Sequence, residues 1–244
     1  MNPHGSERDA EIVTALGAVR SRIATACRDV GRSPQSVTLV AVTKTRPAAD
    51  VALLARLGVH DIGENKDQEA TAKIADLADV ADPSLAAQLR WHMVGRLQTN
   101  KAKSVAAYAH AVHSLDRPKL ARALADAAAG RRQGPLDVFV QVSLDGDPDR
   151  GGVVPDALRA LADDVAGRPE LRLRGLMAVP PIGADADASF AHLAELAALV
   201  RTDHPQADAL SAGMSGDFEA AVRHGATHVR VGSALLGRRE PNLG

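Results

Sequence analysis

Eight short apolar runs, separated by Ala- and Leu-rich segments at helical spacing, constrain this chain more than any other feature. The runs fall near 37–43, 60–63, 91–94, 111–113, 136–142, 173–178, 208–211 and 227–231. Between them, 47–57, 65–80, 117–129, 155–166, 186–202 and 216–224 repeat apolar residues every three or four positions, and 99–107 is a shorter segment of that kind. The first run, Val37 to Val42, is nearly continuous in β-branched residues, as in a strand buried on both faces. Strict strand-then-helix alternation implies a parallel sheet, and eight units close most simply into a single α/β (TIM) barrel. An open, doubly wound sheet is the competing arrangement, but no G-x-G-x-x-G follows the first run.

The 244 residues fit one domain, 1–244, since α/β barrels run to about 200 to 250 residues as one unit. An extra helix precedes the barrel, over about 6–30, with the barrel itself at about 37–237. Ser6 and Asp9 resemble a cap. Ile12, Leu16, Val19, Ile23, Cys27 and Val30 then follow at helical spacing, before a stop at Gly31. The formal charge of -1 offers no basic field for nucleic acid, and 2% aromatic residues leave few stacking platforms. Cys27 is the only cysteine, which excludes an internal disulfide and a thiolate zinc cluster. With no apolar signal core and no long uncharged run, a soluble cytoplasmic protein without a membrane span is expected.

Residues at the C-terminal ends of barrel strands converge on one face, where barrel enzymes keep their sites. The strands deliver Thr43, Lys44 and Thr45, then Gly63, Glu64 and Asn65, then His92 and Gly95, and later Met177, Ser211 to Ser215 and Arg230 to Ser233. Lys44 ends an apolar strand, where desolvating an ammonium is costly unless it is paired or neutralised. Such a site can turn a lysine into a nucleophile that forms a Schiff base with an aldehyde. The competing reading is a strand-end lysine that reaches past the rim into solvent. Gly213 to Gly216, and Gly232 with Ser233, each precede a helix-like segment and offer free N–H groups and hydroxyls to a phosphate. Arg230 interrupts a β-branched strand, THVRVGS. Lysine, anion cradle and arginine meet the needs of pyridoxal 5′-phosphate: an imine partner, a phosphate site and a group at the pyridine nitrogen.

Several segments carry a resemblance: AVTKT at 41–45, GEN and QE within GENKDQEA, WHMVGRLQTNK at 91–101, RGLMAVPP at 174–181, and LSAGMSGDFEAAVRHGATHVRVGS at 210–233. Over nearly its whole length the chain resembles the pyridoxal phosphate homeostasis protein (YggS/PROSC) family. That resemblance implies a barrel like the alanine racemase N-terminal domain, the fold-type III arrangement, with Lys44 as the imine lysine and Arg230 at the pyridine nitrogen. It further implies Ser215, Gly232 and Ser233 around the phosphate and Asn65, His92 and Met177 lining the cofactor. The implied role is binding, buffering or delivering the cofactor, with apo-enzymes as partners and amino-acid and keto-acid pools affected. Lys66, Ala212, Ser233 and Arg150 stand where members often carry other residues, lysine in the last case.

Two other functions share these residues. A racemase needs a second base on the opposite face of its substrate. The only tyrosine, Tyr108, falls on an outer helix, and the chain stops shortly after strand 8, which also leaves a monomer as the expected state. A cofactor-free Schiff-base aldolase would need the same lysine and phosphate site. Metal binding is not expected. In DGDPDRGG, Asp145, Asp147 and Asp149 imitate a calcium loop, but Arg150 takes its glycine position, and the histidines form no ligand motif.

Overall fold

The computed structural model describes residues 3–147 and 151–237, so Asp149 and Arg150 lie outside the described residues. Eight parallel strands close in sequence order into a barrel. They are β1 (Thr38–Val42), β2 (Asp61–Glu64), β3 (Arg90–Met93), β4 (Ala109–Leu115), β5 (Leu136–Gln141), β6 (Leu171–Met177), β7 (Ala209–Ser211) and β8 (His228–Val231). Helices α1 (Pro3–Asp29), α2 (Ala48–Arg56), α3 (Asp67–Val80), α4 (Pro83–Ala86) and α5 (Ala102–Tyr108) occupy the first half. The second half carries α6 (Pro118–Ala128), α7 (Pro155–Ala166), α8 (Ala186–Asp203), α9 (Phe218–Arg223) and α10 (Ser233–Leu236). No helix among the described residues is long and apolar enough to cross a membrane.

The first helix starts at Pro3, ahead of the expected Ser6, so Ser6 lies within the helix and not at its cap. It stops where expected, because Gly31 takes φ +68° and the Arg32 amide donates to the Cys27 carbonyl at 2.8 Å. Ile12, Leu16, Val19, Ile23 and Cys27 are buried. Val30 lies past the helix end and is exposed, so the stripe is one residue shorter than its spacing predicts. Helix α1 and the turn that follows it are fastened to α2 and to the C-terminal part of the barrel. Arg8 donates to Asp50 and to the Leu236 carbonyl, Arg22 pairs with Glu219, and Arg32 donates to the carbonyls of Val222 and Ala226.

The core between strands and helices is mostly aliphatic, as two per cent aromatic content requires, with Trp91, Phe190 and Phe218 its aromatic members. The barrel interior is different. A small apolar cluster of Ala111, Phe139, Met177 and Ala209 shares it with His92, His113, Ser211 and Arg230, all buried. Gly175 permits one close approach, since a Cβ there would lie 1.8 Å from the Ala209 carbonyl oxygen.

Candidate functional site

Lys44 sits in a turn two residues beyond β1 and is exposed. This corrects the reason for singling it out: the side chain is not enclosed by the barrel, and among the described residues it makes no hydrogen bond or ion pair. What the structure adds is a constrained backbone. Thr45 has φ +63°, the only positive φ outside glycine among the described residues, and a β-branched residue is strained there. Its amide is held by Glu69 Oε1. Beneath the turn, Lys73 is 4% exposed; its ammonium donates to the Thr43 carbonyl at 2.7 Å and pairs with Glu64. Thr43 Oγ1 donates to the same Glu64 oxygen at 2.5 Å. Burial raises the Glu64 carboxyl above its ordinary range, opposed by Lys73 and Thr43. Glu64, Glu69 and Lys73 thus build a floor under Lys44.

On the neighbouring strand β8, in register with Val40 of β1, Arg230 is 5% exposed. One guanidinium nitrogen donates to Ser211 Oγ at 2.7 Å and the other to the Ala178 carbonyl at 3.0 Å, both neutral acceptors. Burial lowers this guanidinium to about 10, so it stays charged at neutral pH. A guanidinium carries five donors, so two bonds leave others for a ligand.

Ser215 Oγ accepts the amides of Gly232 at 3.3 Å and Ala234 at 3.1 Å. With both its lone pairs used, its one hydrogen remains to be given to an anion. Ser233 is exposed at the start of α10. A Cβ on Gly232 would stand 3.2 Å from the Val42 carbonyl oxygen, so the chain there passes close to β1. Gly213 turns at φ +90°, and the Met214 amide donates to Asp217 Oδ1 at 2.6 Å, which delays α9 to Phe218. Arg22 of α1 stacks over Phe218 at 4.3 Å and bonds the Ser215 carbonyl.

Asn65 follows β2 and is half-buried, packed so closely on the next loop that a Cβ on Gly95 would fall 2.3 Å from its carbonyl oxygen. Beside it a basic cavity of about 700 Å³ is lined by Lys66, Arg96, Lys101 and Arg117, among others. Met177 ends β6, buried. His92 is placed differently from expectation. It is buried one residue before the end of β3, and both ring nitrogens are engaged, Nε2 with Asp61 and Nδ1 with His113, each at 2.9 Å. It faces a small cavity lined by residues that start strands, among them Thr38, Asp61, Arg90 and His228. His92 therefore offers a ligand no free nitrogen. Tyr108 is half-buried, and burial followed by the Asp67 and Glu64 carboxylates pushes its phenol up, holding it protonated.

Sequence reading missed Lys73, Asp61 and His113. Lys73 occupies the inward stripe of α3 with Ala70 and Leu77, and its position four residues after Glu69 was the available signal.

An exposed lysine on a braced turn, a buried arginine and a hydroxyl gathered between two amides define an α/β barrel suited to a phosphorylated aldehyde. A family model described as alanine racemase, N-terminal domain, matches residues 15–240. The chain belongs to that family and, within it, to the pyridoxal phosphate homeostasis proteins. It is 45% identical to the pyridoxal phosphate homeostasis protein of Mycobacterium leprae, over 95% of this chain and 94% of that one. It is 42% identical to that of Pseudomonas aeruginosa, over 94% and 96%. The structure of PipY from Synechococcus elongatus with PLP bound superposes with a TM-score of 0.79 at 35% identity, covering 93% of this chain and all of that one.

Proposed function

We propose that the protein binds pyridoxal 5′-phosphate through Lys44 as a Schiff base and serves its homeostasis by holding, buffering or delivering it. Arg230 faces the pyridine nitrogen, Ser215, Gly232 and Ser233 surround the phosphate, and Asn65 and Met177 line the ring. His92 acts from behind, through Arg230. A guanidinium does not give up its proton, so the ring nitrogen opposite it stays unprotonated. Bound in this way, the cofactor supplies an aldehyde for the lysine but a weakened electron sink, which suits keeping over turnover. The protein works in the cytoplasm as a monomer, its partners are apo-enzymes that need the cofactor, and its effect falls on amino-acid and keto-acid balance.

The observation that carries this reading is Arg230: a buried guanidinium whose hydrogen bonds go to neutral acceptors, with the Asp217 carboxylate acting on it without a hydrogen bond, at the barrel end that bears Lys44 and Ser215. Such a charge is costly unless a ligand uses it. Adding pyridoxal phosphate to purified protein is expected to raise a visible absorbance band that Lys44→Ala abolishes. A wild-type protein that stays colourless overturns the reading.

A further inference from the structure

Behind Arg230 a file of polar side chains crosses the barrel interior. Arg230 bonds Ser211 Oγ at 2.7 Å, Ser211 Oγ bonds His113 Nδ1 at 2.7 Å, His113 Nε2 bonds His92 Nδ1 at 2.9 Å, and His92 Nε2 bonds Asp61 Oδ1 at 2.9 Å. Arg90 closes the far end on Asp61 through Nε at 2.7 Å. His113 is fully buried, stacked on Phe139 at 4.3 Å and flanked by His228. His110, Asp137 and Arg174 line the cavity beyond.

The two ends fix where each proton sits. A guanidinium only donates, so Ser211 Oγ accepts from Arg230; a carboxylate only accepts, so His92 Nε2 carries its hydrogen toward Asp61. With both rings neutral, one arrangement satisfies every link: Ser211 donates to His113 Nδ1, and His113 Nε2–H donates to His92 Nδ1. Each dipole then points the same way, with its positive end toward Asp61 and its negative end toward Arg230. The burial of His113, which lowers its pKa well below the ordinary value, agrees with the neutral form.

We propose that Ser211 and His113, continued by His92 and Asp61, are positioning residues that hold the Arg230 guanidinium in place for the pyridine nitrogen. Ser211 presents its lone pair to Arg230 because His113 takes its proton, and Asp61 anchors the file. The proposal rests on the cofactor reading above, but its first test does not.

In the protein without cofactor, nitrogen-15 NMR of labelled histidine is expected to show His92 and His113 as neutral rings protonated at Nε2. Protonation of either ring at Nδ1 overturns the arrangement. With pyridoxal phosphate added, Ser211→Ala, which leaves Lys44 in place, is expected to hold it about tenfold more weakly. The visible band of the variant should become pH-dependent, because the ring nitrogen can now take a proton, while Ser211→Thr, which keeps the hydroxyl, behaves as wild type. Ser211→Cys, close in volume and a poor acceptor, repeats the test should Ser211→Ala not fold. A folded Ser211→Ala or Ser211→Cys variant that binds and titrates as wild type overturns the positioning role. Failure of the wild type itself to take up the cofactor would overturn the functional reading instead, and the NMR result would still judge the proton file.

Discussion

Thr45 adopts a left-handed backbone that β-branched residues avoid at a cost of about 1 to 2 kcal/mol. Glycine adopts it freely and gives back part of that gain as unfolded-state entropy. Thr45→Gly is therefore expected to raise the unfolding free energy by up to about 1 kcal/mol, read by urea denaturation. The Glu69 bond survives that change because it is made to the backbone amide. Under the same turn, Lys73 and Glu64 form a buried pair. Removing one partner leaves the other charge stranded, which costs about 3 to 5 kcal/mol, whereas an apolar replacement of both costs far less. Lys73→Met should show the large loss and Lys73→Met with Glu64→Leu should recover most of it, both by denaturation. Lys44 itself was legible as a residue that follows an apolar strand. Its supports were not, because a lysine on the inward stripe of an amphipathic helix is read as a break in the pattern until its acidic partners are seen across the loop.

At the level of elements, periodicity located all eight strands, since continuous apolar runs and helical spacing differ in period. Boundaries moved where loops carry their own bonds. The segment expected to be helical from 216 begins at Phe218 because Met214 and Asp217 close a turn first. The short helix α4 was missed, although Asp82 followed by Pro83 is an N-terminal signature, and the Asp82 side chain does accept the Ser84 amide. His92 was expected at the mouth although a strand over 91–94 already leaves it two residues short of the strand end; in the strand Arg90–Met93 its ring bonds inward to Asp61 and His113. Loop packing yields a prediction here. A methyl on Gly95 would meet the backbone of Asn65 at 2.3 Å, so the loops after β2 and β3 would have to separate. Gly95→Ala is expected to lower stability by about 1 to 3 kcal/mol and to weaken cofactor uptake, measured by thermal melting and absorbance titration.

The whole molecule combines an aliphatic shell with a barrel interior rich in histidine. Burial lowers His228 to about 4, and His113 and His110 are lowered as well, again mainly by burial. In the unfolded chain these rings titrate near 6.5. A depressed folded value means that the unfolded state binds protons first, so their contribution is full above about pH 6.5 and falls as the pH drops toward 4. Asp61, which hydrogen bonds to His92 and Arg90 hold well below the usual carboxylate range against its desolvation, adds a loss below the ordinary aspartate value. Denaturation midpoints measured between pH 8 and pH 4 should therefore decline on the acid side, and His228→Phe should flatten the decline. A decline of unchanged slope in that variant would assign it to other groups.

Lys44, and no other lysine, is expected to carry the cofactor. Borohydride reduction of the protein loaded with pyridoxal phosphate, followed by peptide mass mapping, tests it directly. One reduced adduct is expected, on the peptide containing Lys44; an adduct on Lys73, Lys66 or Lys101 with Lys44 unmodified would contradict this assignment.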